Sequence, residues 1–78
     1  MKIFPNPATH YLFFNTDGFN AKVSIMIFDV NGSCVKSEQK TLNGKSPCRC
    51  DVSMLKSGIY LLSVSDGNNL LTSRLVIF

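Results

Sequence analysis

The side chains able to carry chemistry in this 78-residue chain are three cysteines, one histidine and five carboxylates. A thiol set against His10 would be a nucleophile and its base, but that couple needs a third group to orient the imidazole, and the sequence gives no sign of one. Serines are available without a Gly-x-Ser-x-Gly elbow to expose a hydroxyl. Zinc takes about four ligands, usually in close pairs. Here the cysteines stand at Cys34, Cys48 and Cys50, with no Cys-x-x-Cys and with His10 remote. Asp29-Val30-Asn31-Gly32 brings oxygen ligands into a tight turn, yet it lacks the full run of a calcium loop, and an Asn-Gly hairpin explains it better. No Gly-rich phosphate loop is present.

The same residues have plainer uses. Asp17, Asp29, Glu38, Asp51 and Asp66 each stand beside a turn or on a solvent face, where capping and turn roles suffice. His10 follows Pro7-Ala8-Thr9 and reads as an exposed residue at the mouth of a strand. Cys48 and Cys50, two apart on a strand, share a face without the geometry of a mutual disulfide. Cys34 could pair with either, and an odd thiol count leaves at least one free or paired outside the chain. Small buried or half-exposed hydrophobes are the favoured reading of all three. The chain is expected to be no enzyme and to need no cofactor or metal.

The elements that position these residues are strands. Each of the five glycines follows a polar turn-former, at Asp17-Gly18, Asn31-Gly32, Asn43-Gly44, Ser57-Gly58 and Asp66-Gly67. Asn-Gly and Asp-Gly tolerate the positive φ of tight hairpins, and turns at this spacing between short apolar runs are the mark of a sandwich or barrel. Between them, Val23, Ile25 and Ile27 alternate with Ser24, Met26 and Phe28, and Tyr60, Leu62 and Val64 with Ile59, Leu61, Ser63 and Ser65. Leu71, Ser73, Leu75 and Ile77 oppose Leu70, Thr72, Arg74, Val76 and Phe78 in the same way. Residues 11–15, 34–39 and 47–52 supply further strands, and 40–47 the longest exposed loop. Asp51 to Gly58 allows at most one 3₁₀ turn, capped by Asp51 or Ser53. The expectation is all-β, an immunoglobulin-like β-sandwich of about seven mostly antiparallel strands. Residues 1–78 make one domain, with 1–7 a linker end and Pro-x-Pro lead-in and 8–78 the sandwich.

Composition excludes several function classes. Apolar residues make up 45% and charged ones 17%, which describes a globular chain. The net charge of +3 comes from basic residues scattered from Lys2 to Arg74, not from the concentrated face that nucleic acid requires. The apolar runs are strand-sized, far short of the ~20 residues of a spanning helix, so no membrane insertion is expected. Met1 to Pro5 does not resemble a signal peptide, because prolines interrupt its apolar segment. A piece of a longer exported protein, with an added Met1, accounts for this.

Four stretches stand in order along the chain: Phe4-Pro5-Asn6-Pro7-Ala8-Thr9-His10-Tyr11-Leu12, then Val23 to Phe28 with Asp29-Val30-Asn31-Gly32, then Asp51 to Leu61, then Ser73-Arg74-Leu75-Val76-Ile77. Together they resemble the C-terminal sorting domain of type IX secretion substrates, type A, over residues 4 to 77. The resemblance implies an immunoglobulin-like fold and a role in export by Bacteroidetes. A cargo domain precedes the signal and crosses to the periplasm. The outer-membrane translocon and its shuttle proteins then carry it to the cell surface, where a sortase-like cysteine protease removes the domain. Pro5, Asn6 and Pro7 match the opening motif, Gly58 and Tyr60 the Gly-x-Tyr motif, and Arg74, Leu75, Val76 and Ile77 the terminal basic-apolar motif.

Physical roles follow for each. The prolines stiffen the approach to the fold and keep an upstream linker accessible. Gly58 releases the backbone into a strand, and Tyr60 buries its ring while its hydroxyl reaches a partner. The last strand, if it lies at a sheet edge, offers backbone groups to a partner strand or to a second copy, an edge-strand dimer. The chain departs from the pattern in having Arg74 where lysine is common, in Phe78 one residue past the motif, and in its cysteines. The cleavage site is expected upstream of Phe4. Two other readings compete: an immunoglobulin-like adhesion or carbohydrate-binding module with exposed aromatics such as Phe14 and Phe19, and an uncleaved docking domain of the surface-attachment machinery.

Overall fold

A computed structural model describes residues 3–5, 10–15, 22–42 and 48–78 of the chain. Seven strands are found there: β1 (Ile3–Phe4), β2 (Tyr11–Phe14), β3 (Lys22–Phe28), β4 (Cys34–Thr41), β5 (Cys48–Asp51), β6 (Gly58–Ser65) and β7 (Leu70–Ile77). They form a three-stranded sheet in the order β1-β2-β5 and a four-stranded sheet in the order β4-β3-β6-β7, with every pairing antiparallel. The all-β expectation holds, and the arrangement is compatible with a β-sandwich.

The alternation read from the sequence sets the core. Val23, Ile25 and Ile27 on β3, Leu62 and Val64 on β6, and Leu75 and Ile77 on β7 are buried from one sheet. Ile3, Leu12, Phe14, Cys50 and Val52 meet them from the other in a single cluster. The strands that supply this cluster each show one face to it, so a slip of one residue in register would turn their apolar set outward. The outward residues of β3, Ser24, Met26 and Phe28, are half-buried, as expected for a strand flanked on both sides within its sheet.

Turns close the hairpins through aspartate. The Asp29 Oδ1 atom accepts hydrogen bonds from the backbone N–H of Asn31 at 2.9 Å and Ser33 at 3.0 Å, joining β3 to β4. Gly32 supplies the positive φ of 83° that this turn requires. Asp66 repeats the device between β6 and β7, its Oδ1 accepting from Asn68 N at 2.9 Å and Asn69 N at 2.7 Å. The side chain here stands in for a turn carbonyl, which is why aspartate precedes glycine at both places. The oxygens considered for calcium in Asp29 thus hold a hairpin.

Two expectations change. Residues 1–7 were expected to lead into the fold, but Ile3 and Phe4 already belong to it: β1 pairs with β2 through Ile3↔Phe14 and Phe4↔Phe13, and Ile3 is only 6% exposed. The strand expected over 34–39 continues to Thr41, so Lys40 and Thr41 leave the expected loop, whose remainder at 43–47 lies outside the described residues. The segment after β5 is the single turn expected there, closed by the Leu55 N to Val52 O hydrogen bond at 3.0 Å. Asp51 caps it, accepting from Ser53 N at 2.8 Å and Ser53 Oγ at 2.7 Å. Those two bonds hold the Asp51 carboxyl below its ordinary pKa.

Candidate functional site

Two of the three short motifs turn out to be opposite strands of one hairpin. β6 opens on Gly58 and β7 closes on Ile77, and their register sets Gly58 against Ile77, Ile59 against Val76, Tyr60 against Leu75 and Leu61 against Arg74. The pieces are more than ten residues apart in sequence, yet the Asp66 turn brings them side by side. Alternation then divides them by face. Leu75 and Ile77 are buried and Tyr60 packs against the core, whereas Ile59, Leu61 and Arg74 face outward and Val76 is half-buried.

Gly58 and Tyr60 act locally. The φ of Gly58 is 157°, a value that residues with a Cβ rarely adopt, although a Cβ there would meet only Tyr60 Cε2 at an ordinary 3.8 Å. Backbone conformation, not crowding, is what asks for glycine. The Tyr60 hydroxyl donates to the Lys56 carbonyl at 2.6 Å, four residues back across the turn that precedes β6. A tyrosine at the start of a strand bonded to the backbone just upstream is the corner device of Greek-key sandwiches, tying a loop to the sheet it enters. The expectation that its hydroxyl reaches a partner is met.

The opening motif lies elsewhere. Pro5 is exposed at the end of β1, in the three-stranded sheet, and the Phe4–Pro5 peptide bond is cis. Asn6 and Pro7 lie outside the described residues. Nothing among the described residues joins Pro5 to the β6–β7 hairpin.

Beside these motifs lies a shallow groove lined by Asp29, Val30, Ile59, Tyr60, Leu61 and Arg74. Its lining is mainly apolar and includes one acid and one base. A second group of side chains, which sequence reasoning missed, covers the outer face of the other sheet. Phe4 and Phe13 stack at 5.9 Å between centroids, and the Arg49 guanidinium lies 4.7 Å from the centroid of the Tyr11 ring. The aromatic proposed for an adhesive face, Phe14, is instead buried at 0% exposure, and Phe19 lies outside the described residues.

The cysteines are free thiols, exposed at Cys34, half-buried at Cys48 and buried at Cys50. No disulfide joins the three within the chain, and Cys50 takes the role of a small core residue. Its thiol donates to Glu38 Oε1 at 3.5 Å, and burial together with the Glu38 charge pushes its pKa up to about 12. Burial raises the Cys48 thiol as well. Both are held as neutral thiols, the opposite of what a nucleophile needs. Among the described residues no cluster of three or more His, Cys, Asp or Glu side chains has metal-binding geometry.

Comparison with known families gives a match over nearly the whole chain. The model of the secretion system C-terminal sorting domain covers residues 2–78. The chain belongs to that family, the type IX secretion C-terminal sorting domains. No curated protein matches it. A sorting domain of this family is a non-catalytic tail that acts with the type IX secretion system and serves a secreted or cell-surface cargo.

Proposed function

We propose that this sorting domain carries a preceding cargo through the periplasm to the type IX outer-membrane translocon, where it is read as a folded surface and then removed by a sortase-like cysteine protease. The cargo ends on the cell surface or is released. The domain performs no chemistry of its own. Recognition rests on Pro5, Asn6 and Pro7, on Gly58 with Tyr60, and on Arg74, Leu75, Val76 and Ile77, and shuttle proteins of the system are partners in the transfer.

One observation carries this reading: the Gly-x-Tyr and terminal motifs are cross-strand neighbours, Leu61 opposite Arg74 and Ile59 opposite Val76. Residues far apart in sequence that share one surface are what a receptor of a folded signal needs. Within the pair, Tyr60, Leu75 and Ile77 keep the hairpin seated on the core, and the residues between them present the outer face.

A fusion of residues 1 to 78 behind a periplasmic reporter, in a host that has the translocon, tests the proposal. The reporter is expected at the cell surface. An intact fusion that stays in the periplasm, while an established signal exports the same reporter, sinks it.

A further inference from the structure

The fold keeps the three thiols apart. Cys34 opens β4, whereas Cys48 and Cys50 lie on β5 in the other sheet. Along β4, Lys36, Glu38 and Lys40 pair with the buried Ile27, Ile25 and Val23, so this set faces inward toward β5. Contacts across the sandwich agree: the Cys50 thiol donates to Glu38 Oε1, and Lys40 Nζ donates to the Arg49 carbonyl. Unbroken alternation would put Cys34 on that inward face too. A shift of register at Ile27/Phe28 prevents it. Ile27 pairs with Lys36 but Phe28 with Cys34, which places Cys34 beside Phe28 on the outer face, where it is exposed. The four-stranded sheet thus stands between Cys34 and the β5 thiols, Cys50 being fully buried and Cys48 packed on the core. Cys34 also lies roughly 13 Å along β4 from Glu38, the contact of Cys50. Nor does the fold let Cys48 and Cys50 bridge each other. Side chains two apart on a strand stand about 6.6 Å apart, and a disulfide needs its Cβ atoms about 3.8 Å apart.

We propose that disulfide formation and folding exclude each other in this chain: a bond from Cys34 to Cys48 or Cys50 holds the domain unfolded, and the folded domain withholds Cys50 from oxidation. In the unfolded chain Cys34 is about 15 residues from the other two, a loop whose closure is inexpensive. The oxidant is a small disulfide such as oxidised glutathione. One cysteine thiolate attacks a sulfur of that disulfide and releases one glutathione thiol, leaving a mixed disulfide. The second cysteine thiolate attacks the mixed disulfide and expels the other glutathione, so two protein thiols are oxidised and one glutathione disulfide is reduced to two thiols. In the folded chain the reaction on Cys34 stops at the mixed disulfide, because no second thiol reaches it. This exclusion rests on the fold and not on the sorting reading. The periplasm of the proposed route is an oxidising compartment, and a chain oxidised there before folding would carry no folded signal.

Cys48→Ser leaves Cys34 and Cys50 as the single pair available for a bond within the chain. This variant is treated with oxidised glutathione in guanidinium, its disulfide-linked monomer is isolated by mass, and the denaturant is removed. The linked chain is expected to show no cooperative thermal transition, and dithiothreitol to restore the transition of the reduced chain. The reduced form of the same variant controls for the substitution. Should that form fail to fold, the linked parent chain, its disulfide mapped by peptide mass, takes its place. On the folded parent, iodoacetamide is expected to alkylate Cys34 about tenfold or more faster than Cys50, whose reaction waits on opening of the fold. In denaturant the two rates should converge. A Cys34–Cys50 chain that melts like its reduced form would overturn the proposal. So would equal alkylation of Cys34 and Cys50 in the folded parent.

Discussion

At the scale of single residues, Tyr60 joins a partly buried ring, packed against the core, to a hydrogen bond that ties the turn before β6 to the sheet. Tyr60→Phe keeps the ring and removes the bond to the Lys56 carbonyl, at a cost of about 1 kcal/mol. In a domain of this size the melting midpoint is then expected to fall by roughly 4–8 °C; an unchanged midpoint by calorimetry would deny the hydroxyl its role. Cys50 gives a pH prediction. Its folded pKa of about 12 lies above the ordinary thiol value of 9.0, so between those values the folded chain holds a proton that the unfolded chain has lost. The contribution is therefore whole below about pH 9 and declines as pH rises toward 12, and Cys50→Ala should flatten that alkaline decline in denaturation curves. Much at this scale was legible, including the aspartate turns and the Tyr60 bond. Phe14 was not. In Tyr11-Leu12-Phe13-Phe14 both alternate sets are apolar, so the sequence contains no polar partner to fix the phase, and only the pairing with β1 and β5 turns Leu12 and Phe14 inward.

Among the elements, the β6–β7 hairpin holds both halves of the candidate site, and its two faces should respond differently to change. Leu75→Ala empties a buried position and is expected to cost about 2–5 kcal/mol. A small domain has little more than that in total, so export would be lost together with cooperative unfolding. Deletion of Leu75 to Phe78 removes two core side chains at once and would abolish export by unfolding the domain, whatever the partner reads. A Leu75→Ala chain that melts like its parent would refute this account. Six of the strands could be read from alternation and turn residues, because a strand with one dry face must repeat every second residue. β1 escaped notice. Two residues carry no periodicity, and what makes Ile3–Phe4 a strand is supplied by β2: the pairing with Phe13 and Phe14 and the stacked Phe4–Phe13 rings.

For the whole molecule, the boundary follows from β1. A chain that starts at residue 8 loses the buried Ile3 and the ring stack, worth roughly 1.5–3 kcal/mol in apolar burial. Its midpoint should lie about ten degrees or more below that of the 78-residue chain, and equal midpoints would restore the later boundary. Which strands share a sheet was beyond the sequence for a related reason: alternation tells a strand which way to face and says nothing about its neighbour. The division into β1-β2-β5 and β4-β3-β6-β7 is set by pairings between distant segments, Leu12 with Cys50 and Ile27 with Leu62. The tight β6–β7 turn then has a consequence in time. A hairpin closes in about 1–10 μs, whereas pairings between remote strands in sandwiches take about milliseconds to seconds. The hairpin that bears Gly58, Tyr60 and Arg74 can zip before β3 arrives to pair with β6, so during each round of folding the two motifs meet first and the rest of the domain closes behind them.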